Sequence, residues 1–261
     1  MAESGCIKID TSNQIMTIAF DRQDKLNALS VSVLDVLRER IEEVYDDNDI
    51  KGVIITGEGS KAFSSGVDID EISTLNELNA RKFSEKGQEI MNLIENCHKP
   101  VIAAIDGYAS GAGCELAMCC HLRVATEHSK FGFPEANVGI IPGFGGTQRL
   151  PRLVGKGKAL ELLLTGDYIS AQEAKITGLV NYLVSDREEL LFKCKNVLDK
   201  VIAKAPLAIG MLINCVNASF GNQEGGYQTE ANSFSNCSKS QDFKEGITAF
   251  VDKREPNFIG E

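Results

Sequence analysis

The sequence predicts an α/β fold, because short apolar runs alternate with amphipathic helical segments over most of the chain. From Arg187 onward the pattern is helical throughout, with no strand-like run. The sequence therefore predicts two units, an α/β core over residues 1–195 and a helical region over residues 196–261. Because the helical region has no sheet of its own, we expect it to pack on the core or on a neighbouring subunit.

The strands are predicted from residue type and periodicity. Residues 14–20 (QIMTIAF) alternate and are β-branched, which predicts a strand. Continuous apolar runs indicate instead strands that are buried on both faces. Such a run occurs at 51–57, and further buried strands are predicted at 101–107, 122–127 and 179–184.

The helices are predicted from apolar spacing and from capping residues. Ser30 precedes a segment whose apolar residues recur at helical spacing: Val33, Leu34, Leu37, Ile41 and Val44. Residues 73–97 are predicted to be helical, another helix opens near Cys114, and breaks are expected near Pro206 and at 221–226. Two S-x-x-E capping boxes, in which each side chain accepts from the other residue's amide, are predicted for Ser170 with Glu173 and Ser185 with Glu188.

Composition and charge exclude several classes of protein. The chain has 261 residues, of which 43% are hydrophobic and 25% charged, as in globular proteins. Its net charge of −10 argues against nucleic-acid binding, which needs a strongly basic surface. An anionic ligand can still bind where a few Lys or Arg side chains gather.

Cysteine and histidine spacing indicates neither a disulfide framework nor a metal site. The eight cysteines contain no C-x-x-C pair, which is typical of a reduced, intracellular protein. The three histidines, His98, His121 and His128, lack metal-ligand spacing, so no metal is expected. With no targeting signal at the N-terminus and no membrane-spanning run, we expect a cytoplasmic protein that does not interact with membranes.

A run of small residues at 109–113 separates a predicted strand from a helix, so a ligand can approach the backbone there. Gly111 begins a G-x-G-x-x-G pattern, but Leu116 replaces the last glycine and Glu115 would repel a pyrophosphate. The free amides at this helix start suit a negative charge that develops only during a reaction. Alternatively, the glycines serve close packing and Glu115 is an ordinary first-turn acid.

Two further segments have the same character. Residues 61–73 (KAFSSGVDIDEIS) turn through glycine after a buried strand, and no G-x-S-x-G surrounds Ser64, Ser65 or Ser110, so a hydrolase nucleophile is not predicted. Glu135 lies in FGFPEANVGIIPGFGG (131–146), among aromatic, aliphatic and glycine residues. It is either a solvated loop acid or a carboxylate held in a dry site for proton transfer.

Six segments in order resemble one family: DRQDKLNAL (21–29), FSSGVD (63–68), GYASGAGCELAM (107–118), FGFPEANVGIIPGFGGTQRLPRLVG (131–155), LTGDYISAQEAKITGLV (164–180) and AFVDKREPNF (249–258). Together they are similar to the enoyl-CoA hydratase/isomerase (crotonase) family almost from end to end. The resemblance implies a crotonase-like fold of repeated β-β-α units in two stacked sheets. It also implies a homotrimer or a hexamer assembled through the C-terminal helices.

The resemblance assigns roles to the residues above. The backbone amides of Val67 and Ala112 would form an oxyanion hole for the thioester oxygen of an acyl-CoA. Glu115 and Glu135 would be the catalytic pair, and the Gly143 amide would lie near the attacking water. The implied reaction is hydration of a 2-enoyl-CoA to a 3-hydroxyacyl-CoA, with no cofactor beyond the CoA of the substrate.

Having two glutamates favours a hydratase over single-acid isomerases of the family. An isomerase, a hydratase for dienoyl or branched substrates, and a catalytically silent acyl-CoA-binding protein remain alternatives. CoA is expected along Arg22, Lys25 and Ala28 and along Ser65, Val67, Asp68 and Ile69, with Lys253 supplied by an adjacent subunit.

The sequence departs from the family pattern at four positions. Asp70 stands where several members have a lysine that holds CoA phosphates, so either the affinity for CoA is lower or another basic residue such as Lys61 or Lys25 substitutes for it. Val67 is larger and Ala136 smaller than usual, which predicts a reshaped acyl pocket. His121 replaces a common aspartate, and we interpret it as structural.

Overall fold

The computed structural model describes residues 5–221 and 223–261, which form two β-sheets surrounded by helices. Its strands are β1 (Ile7–Ser12), β2 (Ile15–Phe20), β3 (Gly52–Gly57), β4 (Ala62–Ser64), β5 (Val101–Ile105), β6 (Tyr108–Ser110), β7 (Leu122–Thr126), β8 (Lys130–Gly132), β9 (Ile169–Ser170) and β10 (Tyr182–Val184). Its α-helices are α1 (Val31–Asp46), α2 (Ile69–Ile72), α3 (Glu77–Glu95), α4 (Ala112–Cys119), α5 (Gly146–Val154), α6 (Lys156–Thr165), α7 (Ala171–Ile176), α8 (Arg187–Ile202), α9 (Pro206–Ala218), α10 (Gln223–Cys237) and α11 (Gln241–Asp252). Short 3-10 helices occur at Gln23–Lys25 and Pro134–Val138.

The larger sheet has the strand order β1-β2-β3-β5-β7-β10 and is parallel except for β1. The smaller sheet has the order β4-β6-β8-β9, with β9 antiparallel. Consecutive strands alternate between the sheets: β3, β5 and β7 belong to the larger one, and β4, β6 and β8 to the smaller one. Each pair is followed by helical structure, so the expected fold of repeated β-β-α units in two sheets is confirmed.

The strands β3, β5 and β7 are buried on both faces. In β3, Val53 and Ile55 face the main core, while Ile54 faces a second apolar cluster that includes Leu190 and Leu198 of α8. This arrangement explains why β3 and β5 have nearly continuous apolar runs rather than alternation, because alternating residues enter two different cores.

The helix α1 is confirmed in detail. Its buried residues are the five predicted ones, Val33, Leu34, Leu37, Ile41 and Val44. Ser30 caps the helix, since its side chain accepts a hydrogen bond from the Val33 amide at 3.2 Å.

Helix α3 starts later than predicted. It begins at Glu77 rather than Ser73, because Asn76 and Asn79 form a reciprocal capping box there. Ser73 instead ends the short helix α2, which the sequence did not predict.

Two predictions for residues 179–189 differ from the structure. The predicted buried strand at 179–184 is only β10, and it lies at the sheet edge with Tyr182 exposed. The cap of α8 is Asp186 rather than Ser185: the Asp186 carboxylate accepts from the Glu189 amide at 3.0 Å, and Glu189 accepts from the Ser185 amide at 2.9 Å. The predicted box is therefore wrong: the cap lies one residue later, and the returning bond goes to the residue before the cap.

Two other predictions for this part of the chain are only half right. Ser170 does cap α7, accepting from the Glu173 amide at 3.2 Å, but the Glu173 carboxylate bonds Lys158 instead of returning the bond. The break before α10 is real, but Gly225 and Gly226 lie inside that helix.

The predicted boundary between residues 195 and 196 lies within α8. Cys194 and Leu198, on either side of it, both pack against the larger sheet. The described residues after α8 contain no strand. Helix α9 is tied to the core where the Asn217 side chain donates to the Glu95 carbonyl at 2.7 Å.

No single helix among the described residues is long and apolar enough to cross a membrane. Helices α8 and α9 meet the length and composition requirements only as a pair, and the pair is bent by 108°. Within the same residues, no group of three or more His, Cys, Asp or Glu side chains could hold a metal ion.

Candidate active site

A cavity of about 1140 Å³ lies where the strands of the smaller sheet end. Its walls contain many of the residues that the sequence predicted for the site: Ser65, Val67, Ile69, Ala112, Glu115, Glu135 and Gly143. Segments far apart in the sequence are thus brought to one place. The parallel pairing of β4 with β6 sets the two glycine-containing loops side by side, because each loop follows its strand at the same sheet edge.

The two loops approach each other closely at Gly66. This residue has φ +97°, and a Cβ there would lie 3.3 Å from the Ala112 amide nitrogen and 2.9 Å from the Ser110 carbonyl oxygen. The Ser64 side chain supports the turn by accepting from the Gly66 amide at 3.2 Å. A glycine is therefore required for the Val67 loop to lie against the start of α4.

The amides of Val67 and Ala112 are available to a ligand. Ala112 is the first residue of α4, where backbone N–H groups have no partner within the helix. Within the described part of the chain, neither amide donates a hydrogen bond. Two free donors beside a helix N-terminus can stabilise an oxyanion.

Glu115 lies in the first turn of α4 and is 1% exposed. Its Oε1 accepts hydrogen bonds from the amides of Phe144, at 2.8 Å, and Gly146, at 2.6 Å. Burial raises the pKa of Glu115 to about 7; the Gly146 amide opposes the shift, and the negative charge of Glu135 adds to it. The carboxyl group can therefore exchange a proton near neutral pH.

Glu135 lies in the 3-10 helix Pro134–Val138 and lines the same cavity as Glu115. Its Oε2 is buried without a hydrogen-bond partner, and burial raises the pKa of this carboxyl. Gly111, with φ +50°, makes room for it, because a Cβ there would lie 2.7 Å from Glu135 Oε1. The Glu135 side chain is therefore half-buried rather than fully solvated, and its role in proton transfer stays a prediction.

The turn at residues 143–146 is fixed by side chains that the sequence did not single out. Ser84 Oγ and Gln88 Nε2 on α3 donate to the Gly143 carbonyl at 2.6 and 3.0 Å. Arg149 donates to the Phe144 carbonyl at 2.9 Å and forms an ion pair with Glu95. Arg149 lies in a segment that carried the resemblance, but its role there was not predicted.

The chain matches the model of the family described as "Enoyl-CoA hydratase/isomerase" over residues 10–261. It belongs to the enoyl-CoA hydratase/isomerase family. A protein named crotonyl-CoA hydratase from Syntrophomonas wolfei is 43% identical, over 97% of each chain. The short-chain-enoyl-CoA hydratase of Clostridium acetobutylicum is 38% identical, over 94% of each chain. The crystal structure of an enoyl-CoA hydratase from Bacillus anthracis superposes with a TM-score of 0.93 at 36% identity, covering 98% of this chain and 100% of that one.

Residues 22–28, which are expected to bind CoA, are joined to the Val67 loop by hydrogen bonds. Arg22 donates to the Ala28 carbonyl at 2.8 Å and to Asp68 at 3.0 Å, and its side chain is 13% exposed. Ser65 donates to the Lys25 carbonyl at 3.3 Å. Arg22 thus holds two of the predicted segments together, and their contact with CoA stays a prediction.

Two lysines differ in how they are placed for a phosphate. Lys25 forms an exposed ion pair with Asp70 at 3.1 Å. Asp70 therefore replaces the usual lysine and also neutralises Lys25, one of the two lysines that could take over its role. Lys253 lies at the end of α11, outside the set of residues that line the cavity. Its predicted role requires a second subunit and stays a prediction.

His121 is structural, as interpreted from the sequence. Its Nδ1 accepts from the Val101 amide at 2.8 Å, so Nε2 carries the hydrogen and donates to the Glu95 carbonyl at 3.2 Å. Burial lowers the pKa of His121 to about 4, which keeps the ring neutral.

Apolar side chains surround the mouth of the cavity. Ile69, Val138 and Ile141 are 61%, 63% and 73% exposed, although they line the cavity. Exposed aliphatic groups at a cavity entrance suit a ligand with an apolar part.

Proposed function

We propose that this protein is an enoyl-CoA hydratase that adds water across the 2,3 double bond of a short-chain 2-enoyl-CoA and forms a 3-hydroxyacyl-CoA. The observation that carries the proposal is the placement of buried Glu115 and half-buried Glu135 in one cavity with the free amides of Val67 and Ala112. The names of the relatives, crotonyl-CoA hydratase and short-chain-enoyl-CoA hydratase, support the substrate class.

The amides would act on the thioester oxygen. When the oxygen of water bonds to the β-carbon, the electrons of the double bond move toward the thioester and an enolate forms. Hydrogen bonds from Val67 and Ala112 to the enolate oxygen would stabilise the charge as it develops, and removing one such donor typically costs about 10²–10³ in rate.

The carboxyl groups would carry the protons. One takes the proton from the attacking water, and the α-carbon of the enolate receives a proton, so that H and OH are added overall. A carboxyl with a pKa near neutrality suits this exchange because both of its protonation states are accessible. Water would be held near the Gly143 amide, to which no other described residue supplies an acceptor.

The CoA part of the substrate would lie along residues 22–28 and along residues 65–69, which also border the cavity, and no further cofactor is required. Lys253 of a neighbouring subunit would contact the CoA phosphates. The acyl part would enter between the apolar side chains at the mouth, of which Ile141 and Val138 are the most exposed.

The test is the loss of enoyl-thioester absorbance with crotonyl-CoA for the wild type, Glu115→Gln and Glu135→Gln. Each substitution should reduce turnover by about 10²–10⁴ while CoA binding persists. Glu127→Gln is the matched control, because Glu127 is exposed in the turn between β7 and β8 and does not line the cavity.

Product analysis separates the alternatives. Movement of the double bond without addition of water would replace the hydratase with an isomerase. Binding of CoA with no reaction of short, branched or dienoyl substrates would indicate a silent binding protein.

A further inference from the structure

The peptide unit between Gly143 and Phe144 connects helix α3 with Glu115. Its carbonyl oxygen accepts from Ser84 Oγ at 2.6 Å and from Gln88 Nε2 at 3.0 Å. The N–H of the same peptide lies in the same plane, points in the opposite direction, and donates to Glu115 Oε1 at 2.8 Å. The orientation of this one peptide plane therefore depends on α3 at one end and on Glu115 at the other.

Helix α3 packs against this turn without a gap. A Cβ at Gly87 would lie 2.0 Å from the Phe144 ring, so the ring rests directly on the helix backbone. The Phe83 ring lies 5.3 Å from the Phe144 ring, centroid to centroid. Gln88 also donates to Ser84 Oγ at 3.1 Å, which links the two donors to each other.

We propose that Ser84 and Gln88 are positioning residues that act on Glu115 through the Gly143–Phe144 peptide. They fix the direction of the Phe144 N–H and polarise it, since a carbonyl that accepts hydrogen bonds makes the N–H of its own amide a stronger donor. A stronger donor stabilises the ionised form of Glu115. Removal of the two side chains should therefore make Glu115 harder to ionise.

Other groups also act on Glu115, and the variants leave them in place. Glu135 faces Glu115 from the 3-10 helix, and Cys114 is the neighbour of Glu115 on α4. Arg149 faces Glu115 from α5 and is itself paired with Glu95 of α3. The Gly146 amide donates to the same oxygen, Oε1. The negative charge of Glu135 raises the pKa of Glu115, and Arg149 lowers it. Because none of these groups is altered, a change in the titration reports the path through Phe144.

The experiment compares wild type, Ser84→Ala, Gln88→Met and the double variant by ¹³C NMR of protein labelled at the glutamate carboxyl carbons. The Glu115 resonance is the one that disappears in Glu115→Gln. We expect the pKa of Glu115 to rise by about half a unit in the double variant, from the roughly 10–30% strengthening per linked bond and the loss of orientation. Ser84→Thr keeps a hydroxyl and should restore the wild-type titration.

The inference rests on the proposed function only for its kinetic readout. If the wild type hydrates crotonyl-CoA, the limb of the pH–rate profile governed by Glu115 should move to higher pH in the double variant. If the wild type has no hydratase activity, the proposed function fails, while the NMR titration still tests the inference. An unchanged Glu115 titration in the folded Gln88→Met and double variants would overturn the inference, whatever the activity. Gln88→Met is expected to fold because Gln88 is exposed and its substitution leaves the core intact.

Discussion

Gly111 and Glu135 lie so close that the glycine has no room for a Cβ, which would stand 2.7 Å from the carboxylate oxygen Oε1. The contact joins the loop at the start of α4 to the 3-10 helix that carries the carboxylate. The small residue in the loop and the buried acid, 24 positions later in the sequence, therefore depend on each other.

The first prediction follows from this contact. Gly111→Ala should displace the Glu135 side chain and strain a backbone with φ +50°, so we expect hydration to fall by at least about a hundredfold and the protein to be destabilised by about 1–2 kcal/mol. Gly155→Ala is the matched control, because Gly155 also has positive φ, +79°, but a Cβ there meets no atom within 4 Å. A similar loss of turnover in both variants would mean that backbone strain, and not Glu135, is responsible.

The second prediction concerns stability and pH. Burial raises the pKa of Glu115 from 4.5 to about 7, so the folded state binds this proton more tightly than the unfolded state does. The free energy of unfolding should therefore fall as pH rises from about 4.5 to about 7, by at most about 3 kcal/mol from this group. Glu115→Gln lacks the proton equilibrium and should gain stability relative to wild type over that range.

Urea unfolding of both proteins between pH 4.5 and pH 8 measures the effect. Glu127→Gln again serves as the control for the loss of one carboxylate, since this side chain is exposed. Parallel stability curves for wild type and Glu115→Gln would contradict the prediction, because they would mean that Glu115 binds its proton equally well in both states.

Much of the fold could be predicted from the sequence because burial imposes a pattern. Strands β3 and β5 are buried on both faces and have nearly continuous apolar runs, and α1 shows its buried stripe in its residue spacing. The smaller sheet could not be predicted from periodicity, because its strands have only two or three residues. Only the family resemblance indicated a second sheet.

The site was partly predictable for a related reason. Glu115 and Glu135 stand out locally, each being a single acid among small or apolar neighbours. Ser84 and Gln88 do not, because polar residues are ordinary on a helix face and their contact with Gly143 spans 59 and 55 positions. Such pairings are set by tertiary packing and leave no mark in the local sequence.

The third prediction tests the support of the turn at residues 143–146. Arg149 is buried and donates to the Phe144 carbonyl, to Asn92 and, through two nitrogens, to Glu95. Lysine cannot make this set of bonds, so Arg149→Lys should destabilise the protein by about 3 kcal/mol. It should also reduce turnover, because the amides that hold Glu115 belong to the same turn.

Arg152→Lys provides the control for the third prediction. Arg152 lies on the same helix and stacks on the Phe220 ring at 5.2 Å, a contact that lysine can partly replace. Its substitution should cost less than about 1 kcal/mol in thermal or urea unfolding. Equal losses in the two variants would show that the bonds of Arg149 contribute little beyond its charge.

The fourth prediction concerns assembly. Helices α10 and α11 carry large apolar side chains at the surface, with Phe234 75% exposed and Phe250 84% exposed. A monomer rarely leaves such groups in water, so we expect light scattering at micromolar concentration to give the mass of a trimer or a hexamer.

Two variants separate the assembly from the phosphate contact. Phe250→Asp should weaken the association. If Lys253 of the neighbouring subunit contacts CoA, the same variant should raise KM for the acyl-CoA more than it lowers kcat. Lys253→Met should raise KM alone and leave the mass unchanged, which separates loss of the phosphate contact from loss of the assembly. A monomeric wild type that turns over at full rate would exclude both the assembly and the contribution of a second subunit to the site.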